Sequence, residues 1–218
     1  MFRNRDLVRK AVSRINAAAR DVIQDLEHGR VQQEPAFTDR LVANIQSRLH
    51  GQQLAGVRWA AVTLPDRGPG SAESQIGADL LSVVQFDLEN FKVTKGFLAQ
   101  AKLVEPSTSF STAASKNLKE QCEKMLSISP ASFVFLYSKQ SGVLVLPAID
   151  VLAARDCNPH ELTTRTISKF FTEHFECFIG DHKFSAATGD QLKAIQDEYR
   201  MRKVLAMIGR QEKMNRAE

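Results

Sequence analysis

A chain of 218 residues is about one and a half times the usual single-domain length, which points to one compact domain with additions at its ends. Apolar residues make up 43% and charged residues 25%, an ordinary globular composition that excludes a disordered or collagen-like chain. The longest uncharged stretch, residues 125–138, contains Pro130 and several serines and is too short to cross a bilayer as a helix. Residues 1–10 carry four basic groups and no apolar segment, which argues against a secretory signal. Three cysteines (Cys122, Cys157, Cys177) cannot pair off evenly, so a soluble protein of a reducing, cytoplasmic compartment is expected, with no membrane partner. The net charge of +4 is unevenly spread: residues 1–30 sum to +3, residues 200–218 to +4 and the body between them to −3. Basic ends on a weakly acidic body are one footprint of polyanion binding, and two Lys/Arg-rich surface helices would give the same numbers.

Residues 5–28 read as one amphipathic helix, because Val8, Val12, Ile15, Ala19, Val22 and Leu26 recur at spacings of three and four and Gly29 follows. A second helix is predicted over residues 35–49, with Pro35 in its first turn and Phe37, Leu41, Ile45 and Leu49 as its stripe. The period then changes. Residues 57–64 alternate loosely around Trp59 and run into a Pro/Gly cluster, PDRGPGS, which must be a turn or exposed loop. Residues 78–86 (ADLLSVVQF) read as a largely buried strand, residues 87–94 as a loop or hairpin, and residues 96–103 (GFLAQAKL) as a second apolar run interrupted by Gln100 and Lys102. A helix over 113–127 and strands over 132–137 and 142–146 follow, the strands joined by residues 138–141. From Pro159 the pattern is helical again, burying Leu162, Ile167, Phe170 and Phe171; residues 175–179 are ambiguous. A last helix is predicted over 190–210 through Leu192, Ile195, Tyr199, Val204 and Ile208. The expected fold is α/β: a core of four or five strands in a short mixed sheet, flanked by helices, with long N- and C-terminal helices. It divides into an amphipathic helix (1–30), a core (31–150) and a helical extension packed on the core (151–218).

Two charges break the hydrophobic pattern. Asp79 opens one apolar strand and Lys102 lies near the end of the next, and a buried lone charge is costly unless it pairs or holds a cation. Gln100 and Lys102 point to one face of a strand, because side chains alternate with period two. Asp79, Gln100 and Lys102 can therefore converge at one end of two neighbouring strands.

Gly77-Ala78-Asp79 followed by Gln100-Ala101-Lys102 resembles the PD-(D/E)XK phosphodiesterase superfamily, the restriction-endonuclease-like fold, in which a strand aspartate precedes an acid-x-lysine triplet. Glutamine in place of the acid is similar to the Mrr-type branch. The resemblance extends from Glu34 through these motifs to Gln121 and the strand at 133–136, roughly half the chain; beyond about residue 150 no motif is assigned. It implies a metal-dependent endonuclease cutting DNA to 5′-phosphate and 3′-hydroxyl ends, serving bacterial defence of the anti-phage or restriction type, with a partner protein of such a system in prospect. Mg²⁺, with Mn²⁺ as substitute, would neutralise the scissile phosphate and activate water. Its ligands would be Asp79, Gln100, the Ala101 carbonyl and a second carboxylate, from Glu34 or from Glu73. The implied catalytic set is Asp79, Gln100, Lys102 and Glu34, with Lys102 holding the attacking water and stabilising the pentacoordinate phosphate. Gln121, Lys116 and Lys119 on the following helix are candidate backbone contacts, or members of a solvated face. A two-fold dimer with one site per strand is the simplest way to cut both strands, and the first and last helices are candidate joints unless they pack on their own domain.

Glutamine as a neutral ligand also motivates a different class, a nuclease-fold interaction module that has lost catalysis, and an RNA substrate is a third alternative. Asp66, in the literal Pro-Asp of the motif's name, lacks a following triplet and reads as a decoy. Cys157-x-x-His160 and His174-x-x-Cys177, with His182, have zinc-like spacing, but Phe170, Phe171, Phe175 and Phe178 favour an aromatic core with half-buried histidines. There is no G-x-S-x-G elbow or dinucleotide fingerprint, and the turn at 67–70 lacks the lysine and helix of a P-loop.

Overall fold

The first apolar stripe folds as expected into α1 (Arg5–Glu27), in a computed structural model that describes residues 4–64, 76–186 and 188–211. Asp66, the turn at 67–70 and Glu73 lie outside the described residues. Asn4 caps α1, its side chain accepting from Leu7 N at 3.0 Å. Nine of its side chains are buried, from Leu7 to Leu26. Each large aliphatic taken from water contributes about 1.5–3 kcal/mol, so packing rather than propensity holds this helix. The chain leaves α1 through Gly29, in the left-handed region at φ +69°. α2 (Glu34–Leu49) follows with Pro35 in its first turn and packs against α1.

The strands are β1 (Gln53–Leu54), β2 (Val57–Leu64), β3 (Leu80–Leu88), β4 (Phe91–Leu103), β5 (Ser132–Ser138), β6 (Gly142–Pro147), β7 (Arg165–Thr166) and β8 (Lys203–Gln211). α3 (Thr112–Ile128) joins β4 to β5, and α4 (Ala148–Ala153) follows β6. A single 3₁₀ turn (Pro159–Glu161) precedes β7, and α5 (Ile167–Phe175) and α6 (Gly189–Glu198) precede β8. All eight strands form one mixed sheet in the order β1-β2-β8-β3-β4-β5-β6-β7. β3 and β8 run parallel, as do β4 and β5; the other neighbours are antiparallel. Alternation along the strands sorts the core into two layers. Leu80, Val84, Phe97, Ala99 and Phe135 pack with α1, α2 and α5, whereas Leu81, Val83, Leu98 and Val134 pack with α3, α4 and α6. The result is helices on both faces of a sheet.

Two expectations need correction. The sheet is larger than the short one predicted, with eight strands. Residues 87–94 take the hairpin form of the two readings: β3 runs to Leu88, Glu89 and Asn90 turn, and β4 starts at Phe91, so the polar segment is the tip of a long hairpin. The predicted helix over 190–210 is half helix and half strand. α6 ends at Glu198, Arg200 turns the chain at φ +47°, and β8 inserts between β2 and β3. Residues 204–208 are apolar on both sides because both faces of β8 are covered, and such a run satisfies a helical stripe as well as a buried strand. Residues 151–218 are therefore no mere helical extension, since their last strand sits inside the core sheet. The stripe of α1 is buried against α2, β6 and α5 of its own chain, which removes that face as a dimer joint. Among the described residues no helix is long and apolar enough to cross a membrane.

Candidate active site

β3 begins where β4 is ending, with Leu80 paired to Ala99. One step further back, the Asp79 amide donates to Ala99 O at 2.9 Å, which sets Asp79 beside Gln100. Gly77 makes this approach feasible. Its φ is +73°, and a Cβ there would lie 2.3 Å from the carbonyl oxygen of Gln121, so only a glycine lets the segment press against α3.

The carboxylate so delivered is nearly enclosed, at 6% exposure. Asp79 Oδ2 accepts from Gln100 Nε2 at 2.6 Å and from the Ala101 amide at 2.9 Å. Gln100 is fully buried, and its Nε2 also donates to Ala101 O at 3.1 Å. The two acceptors dictate the amide's orientation, because a half-turn would bring three oxygens together with no proton between them. The consequence is a buried Gln100 Oε1 without a hydrogen-bond partner, a deficit of about 1–3 kcal/mol.

Lys102 stands at the end of β4 and reaches the start of α2. Its Nζ lies 3.4 Å from Glu34 Oε1, the two side chains being 18% and 23% exposed. Glu34 Oε2 accepts from the Leu103 amide at 2.9 Å, so one carboxylate ties α2 to the strand that carries Lys102. A carboxylate is also favoured in the first turn of a helix by the exposed backbone N–H groups there. The expected partners thus form two contacts, Asp79 with Gln100 and Glu34 with Lys102.

The structure adds residues that the sequence did not single out. Asp39, five positions beyond Glu34 on α2, pairs with Lys203 at the start of β8. Tyr137, at the end of β5, is buried, and its hydroxyl lies 3.1 Å from Thr38 Oγ1. Thr38 spends its own proton on Glu34 O, so the phenol is the donor between them. Burial pushes the Tyr137 hydroxyl well above its ordinary pKa, and the charges of Asp79, Glu34 and Asp39 push it further. The charges of three carboxylates thus act on one phenol at this end of the sheet. Thr38 and Asp39 share a helix with Glu34, one turn further on, whereas Lys203 lies in the segment whose apolar stripe suggests a helix.

The other sequence candidates fall elsewhere. Gln121 is 8% exposed, with its Oε1 unpartnered and its backbone under Gly77, so it lies beneath the Asp79 segment instead of on the surface. Lys119 Nζ and Ser115 Oγ each bond Asp156 Oδ1 at 2.9 Å, and these bonds hold that carboxyl below its usual range. Lys116 is exposed. His160 meets Val104 O at 2.9 Å and His182 meets Thr94 O at 3.0 Å. His174 is fully buried among Phe97, Phe170, Phe171 and Phe175.

Among the described residues no group of three or more His, Cys, Asp and Glu side chains is placed to hold a metal ion. Of the expected ligands, Asp79, Gln100 and the Ala101 backbone lie together. Gln100 Nε2 stands beside both Asp79 Oδ2 and Ala101 O, and turning the amide would bring its orphaned oxygen next to them, three oxygens that a small cation could cap. An all-oxygen set with one carboxylate fits Mg²⁺, which completes its octahedron with water or phosphate. Glu34 is not free to join it, since its oxygens are given to Lys102 and Leu103. Comparison of the chain with protein-family models, with curated proteins and with solved structures found no match to any of them.

Proposed function

We propose that the chain is a Mg²⁺-dependent phosphodiesterase that cuts DNA internally, with Asp79, Gln100 and Lys102 at its centre. The observation that carries this is the buried Asp79 carboxylate bonded to both the side chain of Gln100 and the backbone of Ala101, one residue from a partly exposed lysine. The order α2-β1-β2-β3-β4-α3-β5, in which β1 is only two residues long and β4 and β5 are parallel, supports it, being compatible with a restriction-endonuclease-like core.

Mg²⁺, or Mn²⁺ in its place, would supply a Lewis acid for the scissile phosphate and a more acidic water. Asp79, the Ala101 carbonyl and a turned Gln100 amide would hold it. Lys102 does the rest. Its contact with Glu34 is long, at 3.4 Å, so a phosphate oxygen can replace it at little cost. Released toward the substrate, the ammonium orients the attacking water and balances charge on the five-coordinate phosphorus. Glu34 keeps its bond to the Leu103 amide throughout and holds the end of β4 in register. Exposed Lys116 is available to a neighbouring phosphate.

Plasmid nicking tests the assignment. Wild type with Mg²⁺ is expected to nick supercoiled DNA, and Asp79→Ala and Lys102→Ala to be slower by about 100-fold or more. Equal cleavage by all three would remove the site; faster cleavage of RNA than of DNA would change the substrate. A catalytically silent module is favoured by one observation, the Gln100 NH₂ group already bonded to the two oxygens that a cation would take. Calorimetry separates the two, since Mg²⁺ binding that vanishes in Asp79→Asn belongs to the enzyme alone.

A further inference from the structure

α5 ends in a turn that throws its next aromatic side chain outward. The Phe178 amide donates to Glu173 O at 2.8 Å and the Cys177 amide to His174 O at 3.2 Å, with Cys177 in the left-handed region at φ +72°. These are the bonds of a Schellman cap, in which the residue after the left-handed one commonly folds back onto an apolar side chain of the last helical turn. The positions it would cover here hold Thr172 and Glu173, and Phe178 stands 64% exposed instead. A left-handed backbone is also a strained place for a residue with a Cβ, so the outward turn is kept against a cost.

The backbone beyond Phe178 is fixed as firmly. Ile179 O accepts from Lys95 Nζ and lies 3.1 Å from His174 Nδ1. Asp181 N donates to Gly96 O at 2.7 Å, Asp181 O accepts from Gly96 N at 3.0 Å, and Asp181 Oδ2 accepts from Ser129 Oγ at 2.6 Å. An aromatic ring carried on so fixed a turn loses little freedom when it is covered, which suits it as an interface anchor.

Phe178 also divides two hollows. One, of about 390 Å³, is lined by Pro130, Ala131 and Phe133; the other, of about 410 Å³, is edged by Arg165, Lys169, Glu173 and Glu176. Ile149 on α4, the other large apolar side chain exposed among the described residues, lines neither. An apolar ridge thus stands directly beside an apolar hollow. A half-turn about an axis through this face lays each ridge over the other copy's hollow, the condition for an interface made twice by one patch. Its charges are balanced as well. Two basic and two acidic side chains edge the second hollow, so the face does not repel a copy of itself and offers no excess of one sign to a strongly charged partner.

We infer that this face joins two copies of the chain about a two-fold axis, with Phe178 of each seated in the hollow of the other. The joint is formed by the turn after α5 and the start of β5, and neither the first nor the last helix takes part in it. None of this depends on the phosphodiesterase assignment.

The test is sedimentation velocity of the full chain over a range of concentrations. Wild type is expected to pass reversibly from monomer to dimer at micromolar concentrations, as befits a small interface. Phe178→Glu should weaken association by about 100-fold or more, since each dimer makes the contact twice, while its circular dichroism and melting stay those of wild type because the ring lies in solvent. Pro130→Glu, at the exposed rim of the hollow, should also weaken association, and Ile149→Glu should associate like wild type. A wild type that stays monomeric at its highest soluble concentration would overturn the proposal. So would Phe178→Glu or Pro130→Glu associating as tightly as wild type, or Ile149→Glu weakening association as much as Phe178→Glu does.

Discussion

Gln100→Glu is the most incisive perturbation, because it converts a donor into an acceptor at a fully buried point 2.6 Å from a carboxylate. The variant loses a bond to a charged oxygen, about 1.5–3 kcal/mol, and the contact to Ala101 O. Two carboxylates at that separation repel, so the pair gives up the proton that bridges them only above the ordinary glutamate pKa. The folded state then binds more protons than the unfolded chain, and stability falls as pH rises through that window. At pH 8 without divalent ions a loss of roughly 3 kcal/mol is expected. For a chain of 218 residues this lowers Tm by roughly 6–12 °C. At pH 5 the deficit should shrink, and millimolar Mg²⁺ at pH 8 should restore most of it, since a cation between the carboxylates replaces the missing NH₂ group. Thermal unfolding followed by circular dichroism, in EDTA and in Mg²⁺ at matched ionic strength, measures all three. A variant that melts with wild type in EDTA, or that gains nothing from Mg²⁺ beyond the salt control, would refute the placement of an oxygen-lined cation site at Asp79 and Gln100.

Gly77→Ala should cost more than about 2 kcal/mol by urea denaturation, because it adds a 2.3 Å collision with Gln121 O to a left-handed backbone. Gly142→Ala, at φ +72° with nothing within 4 Å of the added methyl, should cost only the backbone strain, about 1 kcal/mol, and equal losses would mean that the packing under Asp79 is softer than described. His174→Leu removes a base whose folded pKa is about 3 and whose ordinary value is 6.5. Wild type keeps the full benefit of neutral His174 above pH 6.5 and loses up to about 1.4 kcal/mol per pH unit as pH falls toward 3, while the leucine variant has no such slope. Chemical denaturation at pH 7.5 and pH 5 should show the variant gaining on wild type in acid; parallel losses would mean that His174 titrates normally.

Local period made the first two helices and the β3–β4 pair legible before any coordinates. Side chains at spacings of three and four had to share a face in α1 and α2, and Gln100 and Lys102 had to share one on a strand. Charged and amide groups inside apolar runs marked Asp79 and Gln100 for the same local reason, the cost of burying them alone. β8 escaped because residues 204–208 are covered on both faces, and a run without a polar side carries no period to read. Its place between β2 and β3, and with it the Asp39–Lys203 pair, is set by pairing between strands far apart along the chain. The Glu34–Lys102 contact and the Thr38–Tyr137 contact likewise arise where α2 settles on the end of the sheet. Those contacts join segments distant along the chain, and their geometry is decided by how whole faces pack, which no local pattern of residues records.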